Sequence, residues 1–175
     1  MTLFSKSLLA AALGSVLVMC AAAGDKEEAA EPDNKELQLK ACGPGNKEVN
    51  FSASTDKASH PTAQAAPDKA IVYVLRPTLT GNKVQTKLAV DGDWKGVNRG
   101  NNYFFFTLDP GEHHFCSVAE NHSILTLKVE AGKTYYLQQH IQMGLMKARN
   151  KLEAMPEGEA AKKLPDLHPS TWTAK

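Results

Sequence analysis

Six histidines, three cysteines and a short aromatic run are the side chains here with chemistry to offer. His113 and His114 are adjacent, so a regular strand points them to opposite faces and keeps them from sharing one ion. A metal site from His114, His122 and His140 is conceivable, but no ligand spacing demands it. Packed or solvated histidines explain the same residues, and no metal or other cofactor is expected. Asp91 and Asp93 flank Gly92. Paired carboxylates suit acid–base work, yet turn formation accounts for both. The chain contains no nucleophile elbow, phosphate-binding loop, dinucleotide fingerprint or zinc-protease motif. No catalytic residue is assigned, and the chain is read as a non-enzyme.

Binding chemistry has better candidates. Tyr103-Phe104-Phe105-Phe106, with Trp94, Tyr135 and Tyr136, offers rings for a sugar or peptide groove. Alternating rings also fill both faces of a sandwich strand, which is the simpler use of this run. Trp94 and Tyr103 lie beside turns and are expected as exposed platforms. Lys83, Lys87, Lys95 and Arg99 cluster around one hairpin, facing either an anionic partner or solvent. Trp94, Lys95, Arg99 and Tyr103 are therefore the expected contact residues.

The cysteines depend on where the chain goes. Lys6 precedes Ser7–Ala23, a stretch with no charge and a leucine- and alanine-rich centre. Asp25, Lys26, Glu27 and Glu28 follow too soon for a stable membrane span. Ala21-Ala22-Ala23 supplies the small residues of a signal-peptidase site, so residues 1–23 read as a secretory signal peptide. Cys20 sits where a lipoprotein signal places its lipidated cysteine, although Met19 departs from the small residue wanted before it. Lipid there would anchor the protein, and membrane contact is expected only in that case. Cleavage leaves Cys42 and Cys116, 74 residues apart, which predicts a disulfide in an oxidising compartment. Chain entropy gives that loop about 4 kcal/mol as an upper estimate. Two buried free thiols are the alternative.

The elements that must position these residues come from periodicity. The 175 residues suit one domain, and 20 basic against 19 acidic residues exclude the footprint of a nucleic-acid binder. Residues 24–66 are first charged, then rich in Ser, Thr, Ala and Pro, and read as a flexible linker. A short helix is possible at Lys35–Lys40. Ile71–Leu75 is a continuous apolar run, and Val84–Val90 alternates up to an Asp91-Gly92 hairpin turn. Further strands are expected over 94–97, 103–108, 113–118, 124–129 and 134–141. Seven strands with regular turns predict an all-β sandwich over 67–155. Leu145–Met155 is ambiguous between a strand and a helix. Pro156, Glu157, Glu159, Lys162 and Lys163 carry the charge order of a short helix, stopped by Pro165 before a loose tail.

Several segments together carry a resemblance. They are Lys-Ala-Ile-Val-Tyr-Val-Leu-Arg-Pro at 69–77, Ala-Val-Asp-Gly at 89–92, Tyr-Phe-Phe-Phe at 103–106, Leu-Asp-Pro-Gly-Glu-His at 108–113 and Val-Glu-Ala-Gly-Lys-Thr-Tyr-Tyr-Leu at 129–137. In this order they resemble the bacterial family catalogued as domain of unknown function 2846 and, more distantly, PEGA-type surface domains. The resemblance covers about residues 67–155. It implies an exported, often lipid-anchored antiparallel β-sandwich of transthyretin or carboxypeptidase-regulatory type, with no known activity and so no catalytic residues. The expectation is an envelope protein that binds another protein through sheet edges or hairpin tips. The rivals are a glycan-binding module stacking sugars on Trp94 and Tyr103, a lipid-anchored subunit of an envelope complex, and a metal protein built on the histidines.

Overall fold

Ala70–Arg76 organises the molecule. Every residue of this strand is buried, and from Ala70 to Leu75 it is apolar on both faces and rich in β-branched side chains. Ala70, Val72 and Val74 face one cluster, and Ile71, Tyr73 and Leu75 face another. A strand with two apolar faces needs cover on both sides, and the rest of the fold supplies it.

The computed structural model describes residues 31–44, 50–78, 81–143 and 148–174. The expected signal peptide, Cys20 and the first part of the linker lie outside the described residues. The elements run α1 (Glu31–Cys42), β1 (Phe51–Thr55), β2 (Ala70–Arg76), β3 (Thr86–Val90), β4 (Asp93–Asn98), β5 (Asn102–Leu108) and β6 (Gly111–Val118). They continue with β7 (His122–Val129), β8 (Thr134–Met143), β9 (Ala148–Met155), α2 (Glu157–Lys163), a 3₁₀ turn (Leu164–Asp166) and β10 (His168–Ala174). One sheet has the order β1-β10-β5-β2-β8-β9 and the other β4-β3-β6-β7. This is an all-β sandwich with a short C-terminal helix. All seven expected strands form, and Ala148–Met155 resolves as a strand paired antiparallel with β8.

Three expectations are corrected. The sandwich is not wholly antiparallel, since β2 pairs β8 and β10 pairs β5 in parallel. The segment 24–66 is not simply a flexible linker, because it holds α1, β1 and an arm fixed to the sheet. The tail after the short helix is strand β10, paired with β1 over five positions. Both unforeseen strands are rich in Ser and Thr, and each finds its main partner in the other.

Between the sheets lies the main core, including Val72, Val74, Leu88, Val90, Phe104, Phe115 and Leu137. Phe104 and Phe106 point inward while Tyr103 and Phe105 point outward, so the aromatic run does fill both faces. Gly96 admits this packing. A Cβ there would lie 2.8 Å from ring carbons of both Phe104 and Trp172. At one end the core turns polar. The buried Gln139 accepts from Thr86 Oγ1 (3.0 Å) and Asn98 Nδ2 (3.1 Å) and donates to Ser117 Oγ (2.8 Å). Ser117 Oγ donates in turn to Asn150 Oδ1 (2.8 Å). These bonds cross from one sheet to the other and fix their mutual register. Arg76 is also fully buried, and its guanidinium donates to the carbonyls of Val84 and Gly81. Burial pulls its pKa down to about 10.

Outside the six-stranded sheet, Met155, Ala160 of α2, Leu167 and the arm residues Ala63 and Ala65 cover Ile71, Tyr73, Leu75 and Tyr103. Outside the four-stranded sheet, the last turn of α1 covers Ala89 and Cys116 through Ala41 and Cys42.

Candidate functional site

The β3–β4 hairpin carries most of the expected contact residues, and its turn is built from two positive-φ residues, Asp91 (50°) and Gly92 (87°). That pair matches the twist of the strands it joins. Asp91 also clamps the turn to its neighbours. Its Oδ1 accepts from the His114 N–H (2.9 Å) and its Oδ2 from His113 Nδ1 (2.6 Å). His113 Nε2 meets the Asp109 carbonyl (2.9 Å), and Asp109 pairs with Lys69. Burial works against the Asp91 charge, but the hydrogen bonds from His114 and His113 outweigh it and hold the carboxyl below its ordinary value. Asp91 is thus a bracing residue, while Asp93 is exposed and lies 4.0 Å from Lys95.

The last turn of α1 docks on this hairpin. Gly92 donates its N–H to the Ala41 carbonyl (3.1 Å). Gly43, with φ 85°, sits so close that a Cβ on it would lie 2.7 Å from the Gly92 carbonyl oxygen. Beside this contact is the Cys42–Cys116 disulfide, with Cα atoms 5.1 Å apart. The expected pairing of these two cysteines is present.

Trp94, Lys95 and Arg99 are all half-buried on β4 and its exit. Trp94 packs edge-on against Phe51 at 6.2 Å and touches the cluster around Ala41, Ala89 and Cys116. Lys95 falls where the β3–β4 register shifts, since Leu88 pairs Gly96 and Ala89 pairs Trp94. Such a bulge re-aims a side chain out of the ladder. Arg99 keeps a buried Nε without a hydrogen-bond partner among the described residues.

Tyr103 is not with them, and the exposure expected of it is corrected. It is 1% exposed, on the outer face of the other sheet, with its hydroxyl donating to the Pro61 carbonyl (2.9 Å). Burial raises its pKa, helped by Tyr73 and Asp56. The turn at 99–101 carries the chain into the six-stranded sheet, and strand parity then sets Tyr103 beside Phe105.

The uncovered part of the hairpin face is mixed in character. Val118, Ile124 and Trp94 are half-exposed around the α1 contact. Leu39 of α1 is 55% exposed. Lys87 and Lys95 are half-buried nearby on β3 and β4, and Lys40 is exposed in the last turn of α1. Apolar surface with cationic edges suits a partner with matching apolar and acidic groups.

The histidines do not converge. His114 meets Thr126 Oγ1 (2.9 Å) on the four-stranded sheet, while His140 lies on the other sheet. Among the described residues no three His, Cys, Asp or Glu side chains are placed to hold a metal ion. His140 instead belongs to a polar pocket of about 310 Å³, lined also by Gln138, Glu153 and Glu159, which no motif in the chain signals. Lys163 Nζ donates to Gln138 Oε1 (3.2 Å), and Gln138 Nε2 donates to His140 Nδ1 (3.1 Å). His140 Nε2 is then the donor to Glu153 Oε2 (3.1 Å). The hydrogen bond from Lys151 holds the Glu153 carboxyl below its usual range against the opposing effect of burial. Every polar group in this chain of contacts is occupied by a neighbour.

No helix among the described residues is long and apolar enough to cross a membrane. Over 119 residues, 66% of this chain and 71% of the relative, the sequence is 26% identical to a Haemophilus influenzae protein described as uncharacterized. No solved structure gives a significant match. Residues 66–151 match the family described as protein of unknown function (DUF2846). They span β2 to the first half of β9, which takes in the whole four-stranded sheet and the strands β5, β2 and β8 of the other. This stretch of the chain is therefore a DUF2846 family domain.

Proposed function

We infer that the chain is an exported, non-enzymatic module of the cell envelope that binds another protein through its hairpin face. The observation that carries this reading is the half-covered apolar surface of Trp94, Val118 and Ile124, edged by Lys87 and Lys95. A face of this kind marks a contact site more often than bare solvent-facing sheet. The Cys42–Cys116 disulfide supports export, because such bonds persist in oxidising compartments. The titratable groups Asp91, His113, His140 and Glu153 are engaged with one another or with the backbone, which supports a structural role for each. Membrane attachment follows only if Cys20 carries lipid.

The test has two parts. The intact mass of the mature protein, from soluble and membrane fractions, should give a chain starting near Gly24 and two hydrogens lighter before reduction. A full-length, reduced chain in the cytoplasm would overturn export. A photo-crosslinker is then placed at Lys95, with a control at Lys151 on β9. A specific adduct with one envelope protein from Lys95 alone is expected. Equal labelling from both positions would overturn the hairpin face.

A further inference from the structure

Residues 56–69 join β1 to β2 and cross the outer face of the six-stranded sheet. Among the described residues, no backbone-to-backbone hydrogen bond ties residues 57–65 to the domain. Two tyrosine hydroxyls hold the arm instead. Tyr73 Oη accepts from the Ala63 N–H (2.7 Å) and donates to the Ala63 carbonyl (2.8 Å). Tyr103 Oη donates to the Pro61 carbonyl (2.9 Å). A ring contact between His60 and His168, at 5.3 Å, completes the attachment.

The surface beneath is an aromatic shelf. Tyr73 lies 6.4 Å from Tyr103, 5.0 Å from Phe105 and 5.4 Å from Tyr136 between ring centroids. Tyr73 and Tyr103 are buried by the arm, while Phe105 and Tyr136 stay half-exposed at its side. Ala63 and Ala65 face the shelf; Thr62, Gln64 and Ala66 face solvent. The arm reads Pro61-Thr62-Ala63-Gln64-Ala65-Ala66-Pro67. Aromatic rings that hold an extended, proline-bearing strand by its backbone groups are a known mode of peptide recognition.

We propose that this shelf is a peptide-binding site whose resident occupant is the chain's own arm. Its partner is an extended segment of another protein with the pattern Pro-x-Ala-x-Ala-x-Pro. The contacts specify that chemistry. The hydroxyls read two carbonyls and one N–H, and small side chains occupy the two shelf-facing positions. Exchange of arms between two copies is disfavoured by the topology. Upstream, α1 is covalently fixed to β6 of its own domain, and downstream, β2 is the central strand. The tethered arm competes at an effective concentration in the millimolar range, which makes it an internal inhibitor. The shelf and the hairpin face lie on different sheets, so either reading can fail without the other.

The probe is a fluorescent peptide of residues 59–68, titrated by anisotropy into the oxidised mature chain. In one variant, Pro61→Gly, Ala63→Gly and Ala65→Gly together loosen the arm at constant length. This variant should bind the peptide at least tenfold more tightly than wild type. Adding Tyr73→Phe should cost about tenfold, equivalent to about 1.4 kcal/mol. A folded, disulfide-bonded variant that captures no peptide, or capture indifferent to Tyr73→Phe, would overturn the proposal. If the variant does not fold, wild type is titrated with millimolar peptide and followed by the ring resonances of Phe105 and Tyr136. Saturable shifts are expected, and unmoved resonances would overturn the proposal.

Discussion

Gln139→Met tests whether the polar seam holds the two sheets together. Methionine has nearly the length and volume of glutamine but none of its hydrogen bonds. The substitution removes the acceptor for Thr86 Oγ1 and Asn98 Nδ2 and the donor to Ser117 Oγ. None of the three is left wholly bare. Asn98 Nδ2 keeps the Val74 carbonyl at 3.1 Å, Ser117 keeps Asn150, and Thr86 has the Asn98 carbonyl at 3.4 Å. Each loss therefore falls at the low end of the cost of an unmet buried group, about 1 kcal/mol. Three give about 3 kcal/mol, and the apolar thioether chain returns about 1 kcal/mol. The expected net loss is about 2 kcal/mol, read by urea denaturation of the oxidised chain with an unchanged m-value. In a double-mutant cycle, Thr86→Val should cost less in the Gln139→Met background than in wild type. Wild-type stability for Gln139→Met, or strict additivity in the cycle, would refute the idea that these residues act as one network.

Three further outcomes follow from local geometry. Gly96→Ala should lose about 1–3 kcal/mol in the same denaturation assay, because its Cβ meets two rings packed in the core. Asp91 is held below its ordinary pKa, so its stabilising effect is full above the unfolded value of about 3.9 and is lost as pH falls through the lower folded value. The difference in melting temperature between wild type and Asp91→Asn should accordingly be present at neutral pH and close below about pH 4. Replacing Cys42 and Cys116 together by serine should cost up to about 4 kcal/mol, and a loss under about 1 kcal/mol would show that the denatured chain is already compact.

Much of the fold was legible because its central strands announce themselves. Ile71–Leu75 is β-branched and apolar, and Asp91-Gly92 and Asp109-Pro110-Gly111 punctuate the strands that follow. What stayed hidden depends on distant partners. Phe51–Thr55 and His168–Ala174 have too few apolar residues to be strands alone, and they form because each pairs with the other across the whole chain. The parallel pairing of β2 with β8 leaves no periodic mark, since a strand buried on both faces reads the same in either direction. The helix α1 has no continuous apolar stripe; its last turn is fixed by Ala41, a glycine contact and a disulfide. Around the candidate site, the turns beside Trp94, Lys95 and Arg99 were legible, and the structure sets these three residues half-buried on β4 and its exit. The burial of Tyr103 was not, because it requires an arm from 42 residues earlier in the chain to lie across it. The His140–Glu153 contact likewise depends on the β8–β9 register.

The disulfide also sets how this protein carries a load. Cys42 ends α1, and Cys116 lies in β6, an interior strand of the four-stranded sheet. Tension applied upstream of α1 therefore enters the sheet through a covalent bond and bypasses the 74-residue loop that holds β1 to β5. At about 3.5 Å per residue, roughly 250 Å of chain is withheld from extension while the bond is oxidised. Reduction would put that slack in series with the pull, and the same domain would change from a stiff terminal grip to a long, extensible one.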